Sequence, residues 1–485
     1  MSVVRYLISV SLSLAVVGVI RVLYTGLRCP LRSLPGPWYT QFTHLVLKWH
    51  VLRGRRIHYI HALHQKYGSV VRTTPYEADF SDLDSFRTIH KISSGFTKSP
   101  WYQTFRDQPA KDLFTFLDPK AHAQRRRLMA RPFSNSELRK NWESTVQDLA
   151  RQTVLKIRDE SAKGTADIYQ WWTLMAYDII NKIAFGESSG LVETGKKSRV
   201  IVDLESLTAL GGIRSEMRWL FDTVLSLPIP TFQKFRENAE RVRAQGWKAA
   251  ENSLTKDLTK SNIFSGIVEQ FQHGTGTMRD IDAASEAQGL IIAGSGTTAV
   301  TLTYLVWSVL QRQELKQQLA TECQGLQEGF TDLDLEKLQV LNAVINETLR
   351  LYGAAPGSLP RIVPPEGATL GGYTIPGGLT VCTQAFSIHR NPSLFPDPER
   401  FDHTRWLKGG EITNNTAAMH AFGAGSRTCI GIHLATMEMR YSTAYFFREC
   451  MDTSLAVSTT NTTMDIINYF LIHPASQRCD ITMKT

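Results

Sequence analysis

Residues 6–24 carry one charge, Arg21, in the run LISVSLSLAVVGVIRVL set between two tyrosines. At ~1.5 Å rise per residue, a helix of that length spans roughly 28 Å, about one hydrocarbon core. The tyrosines suit the membrane interface, and Arg21 can snorkel from the end of the span. No small-residue cleavage site follows, so residues 1–27 read as a retained transmembrane anchor and not as a signal peptide. Arg21, Arg28 and Arg32 put the positive excess on the C-terminal side, which places the remainder of the chain in the cytosol. Leu34-Pro35-Gly36-Pro37-Trp38 cannot continue a helix and makes residues 28–38 a short stiff linker.

Beyond the linker, helical periodicity dominates to about residue 355, with clear runs at 57–67, 141–157, 168–185, 284–313 and 337–351. After Pro356 proline and glycine become frequent, and β-like runs appear at 368–375 and 380–386. A helical pattern returns at 432–448. No fixed-period repeat, low-complexity tract or composition break divides residues 39–485. The expectation is one catalytic body, mainly α with a minor β part.

Composition narrows the class. Over 485 residues, 42% are hydrophobic and 20% charged, which is ordinary globular usage and excludes a disordered, fibrous or polytopic chain. Six scattered cysteines are too few for a disulfide framework, fit a reducing compartment, and show no zinc-ligand spacing. The net charge of +9 suits a membrane surface or an acidic protein partner. Nucleic acid is not expected, because no binding signature accompanies the charge.

The chemistry concentrates at residues 422–431, FGAGSRTCIG. Its glycines allow positive φ and close backbone approach to a flat ligand. A helix begins just beyond Cys429, so oriented N–H groups and Arg427 are expected to favour the thiolate. Phe422, Gly425, Arg427, Cys429 and Gly431 fill every defined position of FxxGxRxCxG, and the decapeptide resembles the heme-binding loop of the cytochrome P450 family. The resemblance implies that Cys429 is the thiolate ligand of a heme b iron, that Phe422 packs on the ligand side, and that Arg427 pairs with a propionate.

Other segments resemble the same family in its order. Glu347-Thr348-Leu349-Arg350 matches ExxR, a spacing that puts both charges on one helix face. The resemblance makes the two a buried folding lock completed by a downstream arginine. FPDPERFDHTRW (395–406) contains the string PERF, but its register against FPDPxxFxPERW assigns the third member to Arg405 and not Arg400. Ala293-Gly294-Ser295-Gly296-Thr297-Thr298 resembles (A/G)Gx(D/E)TT. It places Thr297 at the hydroxyl position that assists proton delivery, with Thr298 beside it, and Gly296 at the usual acid position. Water, Ser295 or Thr298 would then stand in for the missing carboxylate. His122 and Arg126 fit WxxxR with His for Trp, and Arg361 follows the lock as a further propionate partner. Arg125 and Arg127 are expected at a partner surface.

The resemblance spans residues from the linker to about 480, and its flanking segments look like fungal microsomal members that tailor polyketides or terpenoids. It implies a single-pass endoplasmic-reticulum monooxygenase with its catalytic domain on the cytosolic side. Its partners would be NADPH–cytochrome P450 reductase, with cytochrome b5 as an auxiliary donor, and an apolar small-molecule substrate. The alternatives are a heme-thiolate isomerase or dehydratase that does not use dioxygen, and a non-catalytic heme-binding protein. Segments 96–116, 207–217, 354–359 and 467–474, with the helix before Gly294, are the expected substrate lining.

Overall fold

The computed structural model describes residues 2–105, 110–255, 262–267, 279–407 and 418–483. Its contacts group into two compact units, Met1–Ser99 with Gly357–Ile388, and Pro100–Pro356 with His389–Thr485.

The first unit opens with helix α1 (Ser2–Leu27). Its apolar stretch Ile8–Leu27 has a mean hydropathy of 1.9 and is not buried by protein. A helix that is apolar all round and unburied is long enough to cross a bilayer. The next residues do not hang free. Leu31 and Leu34 are buried with Val70, Phe80 and Val381. Buried Arg72 donates from Nη1 to the carbonyls of Leu31 (3.1 Å) and Leu34 (2.8 Å), and from Nη2 to Pro37 O (3.1 Å). The linker is therefore stapled to strand β1 (Val70–Thr74).

The sheet of this unit runs β1, β2 (Glu77–Phe80), β8 (Thr380–Cys382), β5 (Arg361–Ile362), β3 (Thr97–Lys98). The run at 368–375 is not one strand. It is a hairpin of β6 (Ala368–Leu370) and β7 (Tyr373–Ile375). Gly371 (φ 54°) and Gly372 (φ 82°) make its two-residue turn, which requires positive φ at both positions. The run at 380–386 likewise divides into β8 and a helical turn, Ala385–Ile388.

The second unit is mainly helical. Helix α2 (Pro119–Ala130) starts where Asp118 accepts from Ala121 N, with proline at the first turn. Helix α3 (Ile168–Phe185) is buried along almost its whole length. Helix α4 (Arg199–Glu216) precedes the long α5 (Asp280–Leu310), which packs on α3 through the core. Gly294 permits that approach: a Cβ there would lie 2.7 Å from Ile180 Cγ1. α5 is apolar enough to span a membrane by composition, yet 67% of its most apolar window is buried, as befits a core helix. Helices α6 (Gln339–Tyr352) and α7 (Ile432–Glu449) complete the frame. The strands of this unit are β4 (Ala166–Asp167), β9 (Thr453–Leu455) and β12 (Asp480–Met483) in one sheet, and the hairpin β10 (Ile466–Asn468)–β11 (Ile472–Pro474). The architecture is mostly α with a minor β part, as the periodicity predicts.

Candidate active site

The loop before α7 is shaped by glycine. Gly423 (φ 73°) and Gly425 (φ 64°) take the left-handed conformation, and Cys429 N donates to Phe422 O at 2.9 Å, closing the turn. The other five cysteines are buried, whereas Cys429 is exposed. Its sulfur nonetheless lies in a recess crowded by protein. Burial pushes its thiol pKa up, while the Gly431 N–H and the Arg126 guanidinium pull it back only in part. The expected preference for thiolate is thus not met by the helix terminus alone, because desolvation exceeds what the oriented N–H groups return. A cation on the sulfur would be needed to hold the charge.

Two arginines bear on the loop, Arg126 from α2 and Arg427 within it. Arg126, one turn beyond His122 on α2, donates from Nη1 to Thr428 O at 2.6 Å, next to Cys429. His122 is buried. Arg427 donates to Phe116 O (2.8 Å) and Leu117 O (3.1 Å), both backbone carbonyls. Arg125 is not at the surface: it is buried in a 2.6 Å ion pair with Glu286 of α5, leaving Arg127 as the exposed member of the triplet. The triplet lies on a helix with one face against the core, so the member of a charged run that falls on that face is buried when a carboxylate meets it. Arg361 belongs to the other unit, buried on β5 with Nη1 on Pro360 O (3.0 Å).

The Glu347–Arg350 pair is fully buried and bidentate, Oε2–Nε 2.8 Å and Oε1–Nη2 2.7 Å. Arg405 Nε stands 3.5 Å from Glu347 Oε1, and Asp402 N and Trp406 Nε1 add donors at 2.8 and 2.9 Å. Arg400 has an exposed side chain and contributes only its carbonyl, to Arg350 Nη2. The lock continues toward the cysteine loop. Arg350 Nη1 donates to His389 O, His389 Nδ1 donates to Arg350 O (3.0 Å), and His389 Nε2 accepts from His420 N (3.1 Å). Both histidines are buried and held neutral by desolvation, His420 down to about 4. Periodicity carried no signal for this histidine bridge.

On α5, Thr297 Oγ1 donates to Ala293 O at 2.9 Å, leaving its oxygen able to accept. Ala293 is exposed in the middle of an otherwise buried helix, so open space lies against this turn. Ser295 is buried and its hydroxyl donates to Ile291 O (2.7 Å). Thr298 faces away from that space: it is buried and hydrogen-bonded to Glu438 of α7. Sequence reading missed Glu438, a lone carboxyl between two core methionines. It is buried, Oε2 lacks a partner, and desolvation pushes its pKa up to about 8.

A consequence for stability follows from Glu438. Between the ordinary 4.5 and about 8 the folded chain keeps this proton and the unfolded chain has released it. Stability therefore falls as pH rises through that window, at about 1.4 kcal/mol per pH unit for one group. Glu438→Gln should flatten the decline in melting temperature between about pH 5.5 and about pH 7.5 by removing this term. Equal slopes in the two proteins would show that Glu438 does not hold its proton.

Two cavities adjoin α5. One, of about 140 Å³, is lined by Phe105, Leu207, Leu210, Arg214 and Ile292 among others. The second, about 270 Å³, reaches Ser295 and Gly296 and is walled by Tyr469, Phe470 and Leu471. The rings of Phe105 and Phe470 meet at 4.5 Å. Expected lining segments 207–217 and 467–474 thus do reach cavities, while part of 96–116, residues 106–109, lies outside the described residues.

These residues fit a heme. An exposed cysteine, a glycine at 431 whose added Cβ would stand 3.9 Å from the sulfur, and the cations Arg126 and Arg427 form a donor set for a flat, anionic, iron-bearing group. Comparison with known proteins points the same way. The family model described as Cytochrome P450 matches residues 35–472. The chain is 41% identical to the cytochrome P450 monooxygenase stcB of Emericella nidulans, covering 94% of this chain and 89% of that protein. It is 37% identical to the cytochrome P450 monooxygenase aflV of Aspergillus parasiticus, covering 96% and 94%. It is 36% identical to the cytochrome P450 monooxygenase cypX of Dothistroma septosporum, covering 96% and 93%.

Proposed function

The chain belongs to the cytochrome P450 family and is an oxidoreductase of the monooxygenase class, and from that premise we propose that it inserts one oxygen atom into an apolar intermediate of fungal secondary metabolism. The observation that carries this reading is the exposed Cys429 in a glycine-shaped loop, with Thr297 on an open turn of α5. Heme b, bound through Cys429, supplies the dioxygen chemistry. Arg126 and His122 would orient its propionate edge, with Phe422 and Gly431 shaping the space around the sulfur. Arg427 would add charge there once its carbonyl partners are shared.

The protein's own part is positioning and proton control. Phe105, Phe470 and Ile292 give an apolar, aromatic boundary for the substrate and exclude water from it. This favours aromatic polyketides over terpenoids as the substrate class. The Thr297 hydroxyl holds a proton on Ala293 O and can turn to donate it into the open space. Electrons come from a reductase, because the chain carries no flavin or nicotinamide fingerprint; NADPH–cytochrome P450 reductase is the proposed donor, with cytochrome b5 as an auxiliary. The exposed, apolar α1 is read as a single-pass anchor in the endoplasmic reticulum with the body in the cytosol.

Three measurements test this reading. A spectral-shift screen of the reduced and oxidised holoprotein against aromatic and terpenoid metabolites should find its strongest ligands among the aromatics, and turnover of those should consume NADPH. Product formed without NADPH would instead establish the isomerase or dehydratase reading that Gly296 keeps open. Thr297→Ala should retain heme and substrate binding, yet release hydrogen peroxide in place of product, with a rate loss of roughly 10²–10⁴ in the coupled reaction. An unchanged ratio of product to NADPH would remove Thr297 from the mechanism. For the anchor, deleting residues 1–27 should shift the protein from the alkali-resistant membrane fraction toward the soluble one; an unchanged distribution would refute it.

A further inference from the structure

The buried positions of α2 are His122, Arg125 and Met129, at i, i+3 and i+7, so Arg125 lies on the face turned to the core. A guanidinium is costly to bury unless a carboxylate meets it in good geometry. Glu286 of α5 does so. Arg125 Nη1 donates to Glu286 Oε1 at 2.6 Å, with the two side chains 8% and 3% exposed. The flat guanidinium also lies over the Phe116 ring, 5.5 Å from its centroid.

Both ends of this arrangement lead toward the candidate site. Phe116 meets Arg125 with its ring, and its carbonyl accepts from Arg427 Nη1 at 2.8 Å. Leu117 O accepts from Arg427 Nη2 at 3.1 Å. Arg126, next in the chain to Arg125, donates to Thr428 O at 2.6 Å. The cysteine loop is thus fastened, at the two residues before Cys429, to α2 and to the segment entering it. At the other end, Glu286 shares a helix face with Leu290, Ala293 and Thr297, at i+4, i+7 and i+11. It precedes Thr297 on that face by about three turns, or ~16 Å. Arg125 therefore joins the α5 face that bears the Thr297 hydroxyl to the supports of the loop that bears the sulfur.

We propose that Arg125, through Glu286 and Phe116, is a positioning residue that fixes the separation of the Cys429 loop from the Thr297 face of α5. The inference rests on the monooxygenase reading, in which the sulfur and the hydroxyl act on the same reaction and their separation matters. Stability alone does not call for the pair, because apolar side chains of similar volume often replace a buried ion pair without loss. Geometry does call for it. A planar guanidinium that is ion-paired and stacked fixes both distance and direction, which a flexible ammonium does not.

The holoprotein tests this without turnover, through the rate of heme transfer to excess apomyoglobin and the height of the red-shifted carbon monoxide band. Arg125→Met combined with Glu286→Leu removes both charges of the pair together. This double variant should keep wild-type helix content by circular dichroism. It should nevertheless transfer heme roughly tenfold faster, the low end for losing a group that orients a ligand from behind, with a matching loss of the red-shifted band. With the compound giving the largest spectral shift in the screen above, its ratio of product to NADPH should also fall. Phe116→Leu leaves both charges and the Phe116 carbonyl in place and removes only the ring under the guanidinium. It should move heme transfer and the carbon monoxide band in the same direction. Arg127→Met, which removes the exposed charge of the triplet, should transfer heme at the wild-type rate. Wild-type heme transfer in either the double variant or Phe116→Leu overturns the proposal, since the pair would then do no more than neutralise itself. If the double variant does not fold, Phe116→Leu decides alone. Absence of a red-shifted carbon monoxide band in the unmutated protein would be a failure of the monooxygenase reading itself.

Discussion

Cys429→Ala should show no red-shifted Soret band when reduced under carbon monoxide, whereas Cys450→Ala should show it at full height. The two residues differ in what surrounds them. Cys450 is buried at the end of α7, and burial pushes its thiol up to about 12, so it stays protonated and inert. Cys429 is exposed into a recess, with the Gly431 N–H and Arg126 beside its sulfur. The local field lowers the cost of a thiolate without removing it, and a metal cation on the sulfur would supply the remainder. Loss of the sulfur would therefore remove the proposed iron ligand. The effect should be complete and not graded. A surviving band in Cys429→Ala, at wild-type position, would transfer the ligand role to another residue.

Arg405→Ala should yield a chain that fails to incorporate heme, and Arg400→Ala should be close to wild type. Glu347 has no exposure to solvent and accepts four hydrogen bonds, two from Arg350 and one each from Asp402 N and Trp406 Nε1, with the Arg405 guanidinium 3.5 Å away as a further counter-charge. A buried carboxylate is tolerated only while it remains compensated, and removing a partner costs about 3–5 kcal/mol. That is a large share of the 5–15 kcal/mol that typically holds a domain together. Arg350 also holds His389, which holds His420, so the damage would be transmitted to the cysteine loop. Arg400 meets the lock only through its carbonyl, which any residue can offer. Heme content per protein and thermal melting would check both variants. A severe Arg400→Ala with a mild Arg405→Ala would mean that the register of this segment has been misread.

Much of this was legible in the linear chain. The apolar run of α1, the periods of α3, α5, α6 and α7, and the change of texture after Pro356 are local properties, each set by side chains within a few residues of one another. The loop around Cys429 was legible for the same reason: left-handed glycines, a cysteine and a following helix are neighbours in sequence. The Arg405 register could be argued from the segment's resemblance to the family's FPDPxxFxPERW pattern.

Partners from distant segments were not legible. Arg125 looked like a surface charge until Glu286, 161 residues away, was brought to it. Glu438 looked like any helical glutamate, and only packing of α7 against α5 removed its solvent and raised its pKa. The thiol of Cys429 went the opposite way from its helix-terminus expectation, since desolvation is a property of everything around the sulfur. The side cavity at Gly296 has contributions from α3, α4, α5 and β11, and no window of sequence contains them together. Short-range sterics and periodicity wrote the elements and the motif. Burial, which depends on all the elements at once, set the charge states and opened the spaces in which the chemistry is to occur.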